Sequence, residues 1–340
     1  MRYSSDRASN FELLRLLSMF LIVFYHLLRW FVQDNPTYDW VRAFWLPLHI
    51  GVVCFILISG YFRIRPSTRG LLLLLGILFV YSLPNIVSGI RYAGSAYDIL
   101  HSLQFVSRSE FWFVKVYVAL YLLSPLLNSF FDHSSLRGQW YLLGVFALIT
   151  VYYGYFAEEV SYSEGKNVLY FMLIYQVGHL LQVYSSKWKA WKMNRLVGGY
   201  LLLNVLLVVL FLLTRGSWMG DLIWKLSFPY NSPVLILNAA WLFVIFGRME
   251  FHSLSVNRLA GHCFAIYLIH GLPLLISAVE RPVIQGIFHL TGDKLLATIP
   301  LLFVLACLIM IACIAIDSLF RPLWKAIDHR GRVLQESLGF

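Results

Sequence analysis

The sequence predicts an all-α fold, a polytopic integral membrane helix bundle with about ten transmembrane helices. Apolar residues make up 59% of the 340 residues and charged residues only 13%, which is about half the charged share of a soluble domain. The apolar residues come in blocks long enough to cross a bilayer, which takes about 20 helical residues. Alternating polarity with period two, which is typical of a transmembrane barrel, is absent from these blocks, so helices are expected to satisfy the backbone in lipid.

Taken in order, the apolar blocks predict one transmembrane domain over residues 1–316, followed by a short cytoplasmic amphipathic tail over 317–340. The expected helices are about 11–31, 46–62, 70–89, 111–130, 140–156, 168–184, 196–213, 231–247, 261–278 and 295–316. The first block is longer than the apolar core of a signal peptide and no small-residue cleavage site follows it, so we expect it to be retained as the first helix. The blocks leave no segment long enough for an independently folding soluble domain.

The placement of charge predicts orientation and excludes one class of partner. The net charge is +10 at pH 7, which would suit nucleic acid, but the charges lie in short loops between apolar blocks. One set of loops carries 16 Lys and Arg and the other carries 9. This bias predicts that both termini are cytoplasmic, and membrane lipid rather than nucleic acid is the expected partner. All four cysteines lie inside apolar blocks without a C-x-x-C pair, so we expect neither a metal site nor a disulfide.

The first helix carries three titratable residues, Glu12, Arg15 and His26. Arg15 and His26 are eleven residues apart, which at 100° per residue is 20° from three full turns, so they share one helix face about 16 Å apart along the axis. Glu12 lies three residues before Arg15 and is placed to pair with it. Charged groups inside a membrane are costly and usually serve packing networks or function. In the alternative interpretation Arg15 snorkels to the membrane surface and His26 makes a structural hydrogen bond. This helix alone does not decide between the two interpretations.

Other polar and aromatic residues in the blocks have two interpretations each. His49 lies at the outer end of the second helix, and Tyr267 and His270 share a face of the ninth. Taken singly, each histidine is as well explained by a structural hydrogen bond. Two outer loops of about 20 residues are rich in aromatic residues, which favours an interfacial belt or a surface on which sugar rings pack.

Three arginines, Arg63, Arg65 and Arg69, stand between the second and third helices. They are explained either as an orientation signal or as a clamp for phosphate, because guanidinium groups match phosphate geometry.

Four segments together resemble the acyltransferase-3 family of bacterial membrane O-acyltransferases, which acetylate exopolysaccharides, O-antigens and similar glycans. The arginine and histidine of the first helix, with ten residues between them, are similar to the signature first helix of that family. The segments that carry the resemblance are 10–15 with 24–26, 51–62, 111–128 and 264–270. The chain departs from the family in its arginines, since the family often has an R-x-x-R pair and this chain has Arg63-x-Arg65 followed by Arg69.

The resemblance implies acetyl transfer from cytoplasmic acetyl-CoA to a hydroxyl of a cell-surface or secreted glycan, or of a lipid-linked oligosaccharide, in the bacterial cytoplasmic membrane. No metal is expected. His26 would be the catalytic base, aided by Arg15 and Glu12, and both direct transfer and an acetyl-histidine intermediate are open. The coenzyme A phosphates would bind Arg15 and the three loop arginines. Residues on the acceptor side would be Trp112, Tyr267, His270 and His49. The alternatives are a transporter or flippase of lipid-linked sugars and a glycan polymerase, and association of the chain with copies of itself is left open.

Overall fold

The computed structural model describes residues 7–92, 94–106, 111–158, 163–292 and 294–337. Every regular element within these residues is helical, so the predicted all-α class is confirmed there. The main helices are α1 (Ser9–Asp34), α2 (Gly51–Phe62), α3 (Thr68–Arg91), α4 (Ala96–Leu103), α5 (Trp112–His133), α6 (Leu136–Ala147), α7 (Val168–Val183), α8 (Met193–Thr214), α9 (Trp218–Ser227), α10 (Pro233–Gly247), α11 (Leu254–Ala260), α12 (Cys263–His270), α13 (Arg281–Thr291), α14 (Leu295–Leu319) and α15 (Arg321–Ser337).

Six helices of the described chain are long and apolar enough to cross a membrane, or seven if one bent pair counts as a single span. The six are Ser9–Asp34, Pro36–Phe62, Thr68–Arg91, Trp112–His133, Met193–Thr214 and Ala297–Leu319. Two more apolar helices, α7 and α10, have only 16 and 15 residues. The predicted total of about ten therefore stays a prediction, as does the cytoplasmic position of both termini.

Two of the predicted helices are broken. The helix expected at 261–278 ends at His270, and the chain then bends by 69° before continuing as far as Thr291. Pro273 lies just after the break, where a proline cannot donate to the preceding turn and disfavours helix at the residue before it. The helix expected at 46–62 is interrupted by a turn at His49 and Ile50. Both interruptions fall next to histidines that the sequence singles out.

Helix α2 lies at the centre of the bundle because its glycines allow close approach of neighbouring backbones. A Cβ on Gly60 would lie 2.0 Å from the carbonyl oxygen of Tyr175 in α7, and a Cβ on Gly178 of α7 would lie 2.3 Å from that of Leu57. A Cβ on Gly51 would lie 2.6 Å from the carbonyl oxygen of Ser18 in α1. Small residues at helix contacts are typical of membrane bundles, and here they pack α1, α2 and α7 together.

The last helix, α15, packs against α3 in the opposite direction. Trp324 lies near Tyr81, with ring centroids 5.7 Å apart, while Asp328 accepts hydrogen bonds of 2.6 and 2.8 Å from Arg69. Trp324 and Asp328 are both buried. Of the tail predicted over 317–340, residues 321–337 form this helix, with one face packed on the bundle. Residues 317–319 instead end α14, and 338–340 lie outside the described residues.

Candidate active site

Two cavities lie back to back along α1. The first, here named the arginine cavity, has a volume of about 550 Å³ and is lined by Arg15 and residues of α2, α3, α12 and α15. The second, named the histidine cavity, has a volume of about 460 Å³ and is lined by His26. Ile22, Val52 and Tyr267 line both cavities. These three side chains therefore form the wall between them.

The face of α1 that carries Arg15 and His26 is turned toward the protein interior, with one residue in each cavity. The Arg15 guanidinium donates a 2.7 Å hydrogen bond to the carboxylate of Glu12, whose side chain is only 7% exposed. Arg7 lies 3.6 Å from the same carboxylate. Glu12 thus orients Arg15 from the preceding turn of the helix, as the three-residue spacing predicts.

The histidine cavity contains a pair of histidines whose protons are fixed by the backbone. Nδ1 of His270 lies 2.7 Å from the carbonyl oxygen of Ile266, and because a carbonyl only accepts, this nitrogen carries the hydrogen. In the neutral ring, Nε2 of His270 is then an acceptor, and it lies 3.0 Å from Nδ1 of His26. His26 therefore donates from Nδ1, and its Nε2 keeps the lone pair.

The other residues predicted on the acceptor side line the same cavity. His49, Trp112, Tyr267 and His270 all belong to its wall. Nδ1 of His49 donates to the carbonyl oxygen of Phe228 over 2.7 Å, and the two rings are parallel with centroids 4.2 Å apart. His49 is thus held in place by its backbone partner and by the stacked ring of Phe228.

The histidine cavity has several further lining residues that were not among the predicted site residues. Tyr25, Arg29, Tyr230 and Arg281 also line it. Arg29 is four residues before Gln33 and three after His26, so its place on the His26 face is readable from helical spacing. Tyr230 and Arg281 come from distant segments of the chain and carry no local signal of their position.

The arginine cavity contains a buried polar network that sequence analysis also missed. The carboxylate of Asp317 accepts hydrogen bonds from His262, Tyr81 and Trp324 at 2.5, 2.7 and 2.9 Å. Arg321 lies 2.8 Å from the other ring nitrogen of His262. Asp317 comes at the end of a long apolar block. A charged residue in that position ordinarily marks the end of a helix, so the sequence does not indicate that Asp317 is buried in a network.

The three loop arginines do not line either cavity. Arg63 pairs with Asp132 of α5 at 2.7 and 2.8 Å. Arg69 pairs with Asp328, and this guanidinium holds the pKa of the Asp328 carboxyl below its usual value. Arg65 is exposed. Two of the three arginines thus tie neighbouring helices together through carboxylates.

A sequence profile of the acyltransferase domain of the acyltransferase-3 family matches residues 9–317. The chain belongs to the acyltransferase-3 family. No curated protein and no solved structure in the comparisons matches it. Family membership makes the protein a membrane acyltransferase, and both cavities lie within the part of the chain that carries the match, apart from the residues of α15.

In an acyltransferase-3 chain the arrangement provides the groups that acyl transfer to a hydroxyl requires. A base must take the hydroxyl proton within hydrogen-bonding reach of the acceptor, and Nε2 of His26 offers a lone pair at the cavity surface. The arginine cavity is lined by cationic side chains, which suit an anionic ligand. Among the described residues, no group of three or more His, Cys, Asp or Glu is placed to hold a metal ion.

Proposed function

We propose that this acyltransferase moves an acetyl group from cytoplasmic acetyl-CoA in the arginine cavity to a hydroxyl of a cell-surface or secreted glycan in the histidine cavity. The supporting observation is the hydrogen-bonded series from Ile266 through His270 to His26. It leaves Nε2 of His26 as a base on the acceptor side, while Arg15 lies on the donor side. Both termini would then lie in the cytoplasm of a bacterial cell, with the chain in the cytoplasmic membrane.

In the proposed reaction, Nε2 of His26 takes the proton from the acceptor hydroxyl as its oxygen attacks the thioester carbonyl carbon. The C–O ester bond forms and the C–S bond breaks. The coenzyme A thiolate leaves and takes the proton from His26, so that the ring returns to its neutral state. The second ring nitrogen of His26 keeps its hydrogen bond to His270 throughout, which keeps the ring in the orientation needed for attack.

The wall between the cavities has a defined part in this proposal. The donor and the acceptor are kept in separate cavities, and Ile22, Val52 and Tyr267 are the side chains common to both. The thioester has to meet the hydroxyl at this wall. Because the wall is made largely of apolar surface, it limits the entry of water, which would otherwise hydrolyse the thioester.

The test uses cells that carry the wild-type chain, the His26→Ala variant or neither. The surface polysaccharide is examined by mass spectrometry for acetyl esters that mild alkali removes. Wild-type cells should carry them, while cells with His26→Ala should lack them although the protein is inserted to the same level. The matched control is His101→Ala, because His101 is exposed on α4 away from both cavities. Full acetylation in the His26→Ala cells would refute the assignment.

The transporter and polymerase alternatives predict a different outcome. Neither consumes an acyl donor, so neither releases free coenzyme A thiol when acetyl-CoA and a candidate glycan are supplied to the membrane-embedded chain. A thiol assay on wild-type protein therefore separates acyl transfer from both alternatives.

A further inference from the structure

A network of buried polar side chains connects three helices at the wall of the arginine cavity. Asp317 of α14 accepts from Tyr81 of α3, from Trp324 of α15 and from His262 just before α12. The exposed fractions of these residues are 6% or less. A buried carboxylate needs such donors, since an unpaired one would be strongly destabilising. The network thus fixes the start of α15 relative to α3, α12 and α14.

The ring of His262 connects this carboxylate to Arg321. Its Nδ1 lies 2.5 Å from Asp317 and its Nε2 lies 2.8 Å from Nη2 of Arg321. An arginine only donates, so Nε2 of His262 is the acceptor. His262 is therefore neutral and donates from Nδ1 to Asp317. In this series Asp317 keeps the hydrogen of His262 on Nδ1, and Nε2 of His262 accepts a hydrogen bond from the guanidinium of Arg321.

This series places a guanidinium at the surface of the arginine cavity. Arg321 and Lys325 line the cavity together with Arg15. Among the described residues that line it, the single carboxylate is Asp317, which already accepts from three donors. Glu12 pairs with Arg15 from outside the lining, so Arg15, Arg321 and Lys325 face two carboxylates in all. The remaining positive charge suits an anionic ligand rather than a neutral one.

Two of these three cations come from α15, which begins after residue 317, where the family match ends. We propose that α15 completes the donor site of this chain, with Arg321 and Lys325 binding phosphate groups of the acyl donor beside Arg15, and with His262 and Asp317 acting as positioning residues for Arg321. This inference rests on the proposed function, in which a coenzyme A thioester is the donor.

The first test compares two ligands that differ in their phosphates. Binding of coenzyme A and of pantetheine, which lacks phosphates, is measured by isothermal titration calorimetry on the full-length chain in lipid nanodiscs. Arg321→Gln should weaken coenzyme A binding by about tenfold or more, because a charge-assisted hydrogen bond is lost, and should leave pantetheine binding unchanged. Arg330→Gln, which removes the same charge from an exposed position of α15, should change neither.

The second test separates positioning from a general loss of structure. His262→Gln keeps an amide that donates to Asp317 and an oxygen that accepts from Arg321, whereas His262→Leu keeps neither. His262→Gln should therefore bind coenzyme A nearly as the wild type does, and His262→Leu should resemble Arg321→Gln. Equal affinities in the two His262 variants would overturn the positioning role.

The outcomes distinguish this inference from the proposed function. If Arg321→Gln binds coenzyme A as tightly as the wild type, α15 is not part of a phosphate site. The same follows if the variant weakens pantetheine binding as much as it weakens coenzyme A binding. A wild-type chain that binds no coenzyme A overturns both proposals. A chain that binds coenzyme A through Arg321 but gives no His26-dependent acetyl ester keeps the α15 site and refutes the proposed reaction.

Discussion

The hydrogen bond between His26 and His270 gives the sharpest prediction about the proposed reaction. His270 is 1% exposed and its Nε2 accepts from Nδ1 of His26 over 3.0 Å. In the variant His270→Ala, that acceptor is gone, so the hydrogen of His26 is free to move to Nε2. Nε2 of His26, which faces the substrate hydroxyl in the proposed reaction, would then often be protonated and unable to act as a base.

The expected loss follows from the hydrogen bond that selects the tautomer. A neutral hydrogen bond contributes about 0.5–1.5 kcal/mol net, and its upper end corresponds to about tenfold in rate. Loss of ring orientation adds to this; for histidines that bind a metal, removing the partner that orients the ring typically costs about 10–100-fold, and we take the same range here. We therefore expect kcat to fall by about 10–100-fold in His270→Ala, which is less than the loss of about 10²–10⁴-fold expected when the base itself is removed.

The assay is release of coenzyme A thiol from acetyl-CoA by the reconstituted chain in the presence of a candidate glycan, with kcat and KM for acetyl-CoA measured separately. His270→Ala should lower kcat and leave KM for acetyl-CoA unchanged, because His270 lines only the histidine cavity. His270→Gln, whose side-chain oxygen offers a new acceptor to His26, should recover part of kcat. An unchanged kcat in His270→Ala, or a rise in KM that accounts for the whole effect, would refute the reasoning.

Three further outcomes are expected. Gly60→Ala should lower the thermal midpoint because its Cβ would overlap the backbone of α7, whereas Gly198→Ala, with nothing within 4 Å of its Cβ, should be neutral or stabilising by up to about 1 kcal/mol; equal midpoints would contradict the packing. Asp328, whose pKa is lowered by Arg69, should contribute stability above its ordinary pKa of about 3.9 and lose it as pH falls through the lower folded value. The difference in midpoint between wild type and Asp328→Asn should accordingly shrink in acid, and a constant difference would argue against the pair. Tyr267→Ala, which opens the wall between the cavities, should raise the hydrolysis of acetyl-CoA when no acceptor is present. The measurement is free coenzyme A thiol, with the thiol released by the His26→Ala variant as the baseline.

Helical periodicity was sufficient to predict the face of α1. The 100° turn per residue places Arg15 and His26 on one side of a helix. A charged side chain in an apolar block faces protein rather than lipid, because exposing the charge to lipid is costly. The structure turns both residues toward cavities. This part of the candidate site depends on local geometry, which a sequence encodes directly.

The partners of these residues depend on how helices pack, which periodicity does not determine. His26 and His270 are 244 residues apart, and Arg69 and Asp328 are 259 apart. Arg63, Arg65 and Arg69 look alike in sequence, yet two of them meet carboxylates on α5 and α15 that a single helix pattern cannot assign to them. For the same reason, the hydrogen bond between His262 and Asp317 cannot be predicted without knowing how α12 and α14 pack together.

The separation of the two cavities also bears on which acyl donor is suitable. The rise between Arg15 and His26 is about 16 Å along α1, with the Ile22, Val52 and Tyr267 wall between them. A donor whose phosphates bind near Arg15 must extend its acyl group over most of that distance to reach the base. Coenzyme A carries its thioester at the end of a long arm, whereas acetyl phosphate joins the acyl group directly to the phosphate. The proposed reaction therefore requires a thioester on an extended carrier, because a compact acyl phosphate held by the same cations would leave its carbonyl carbon far from His26.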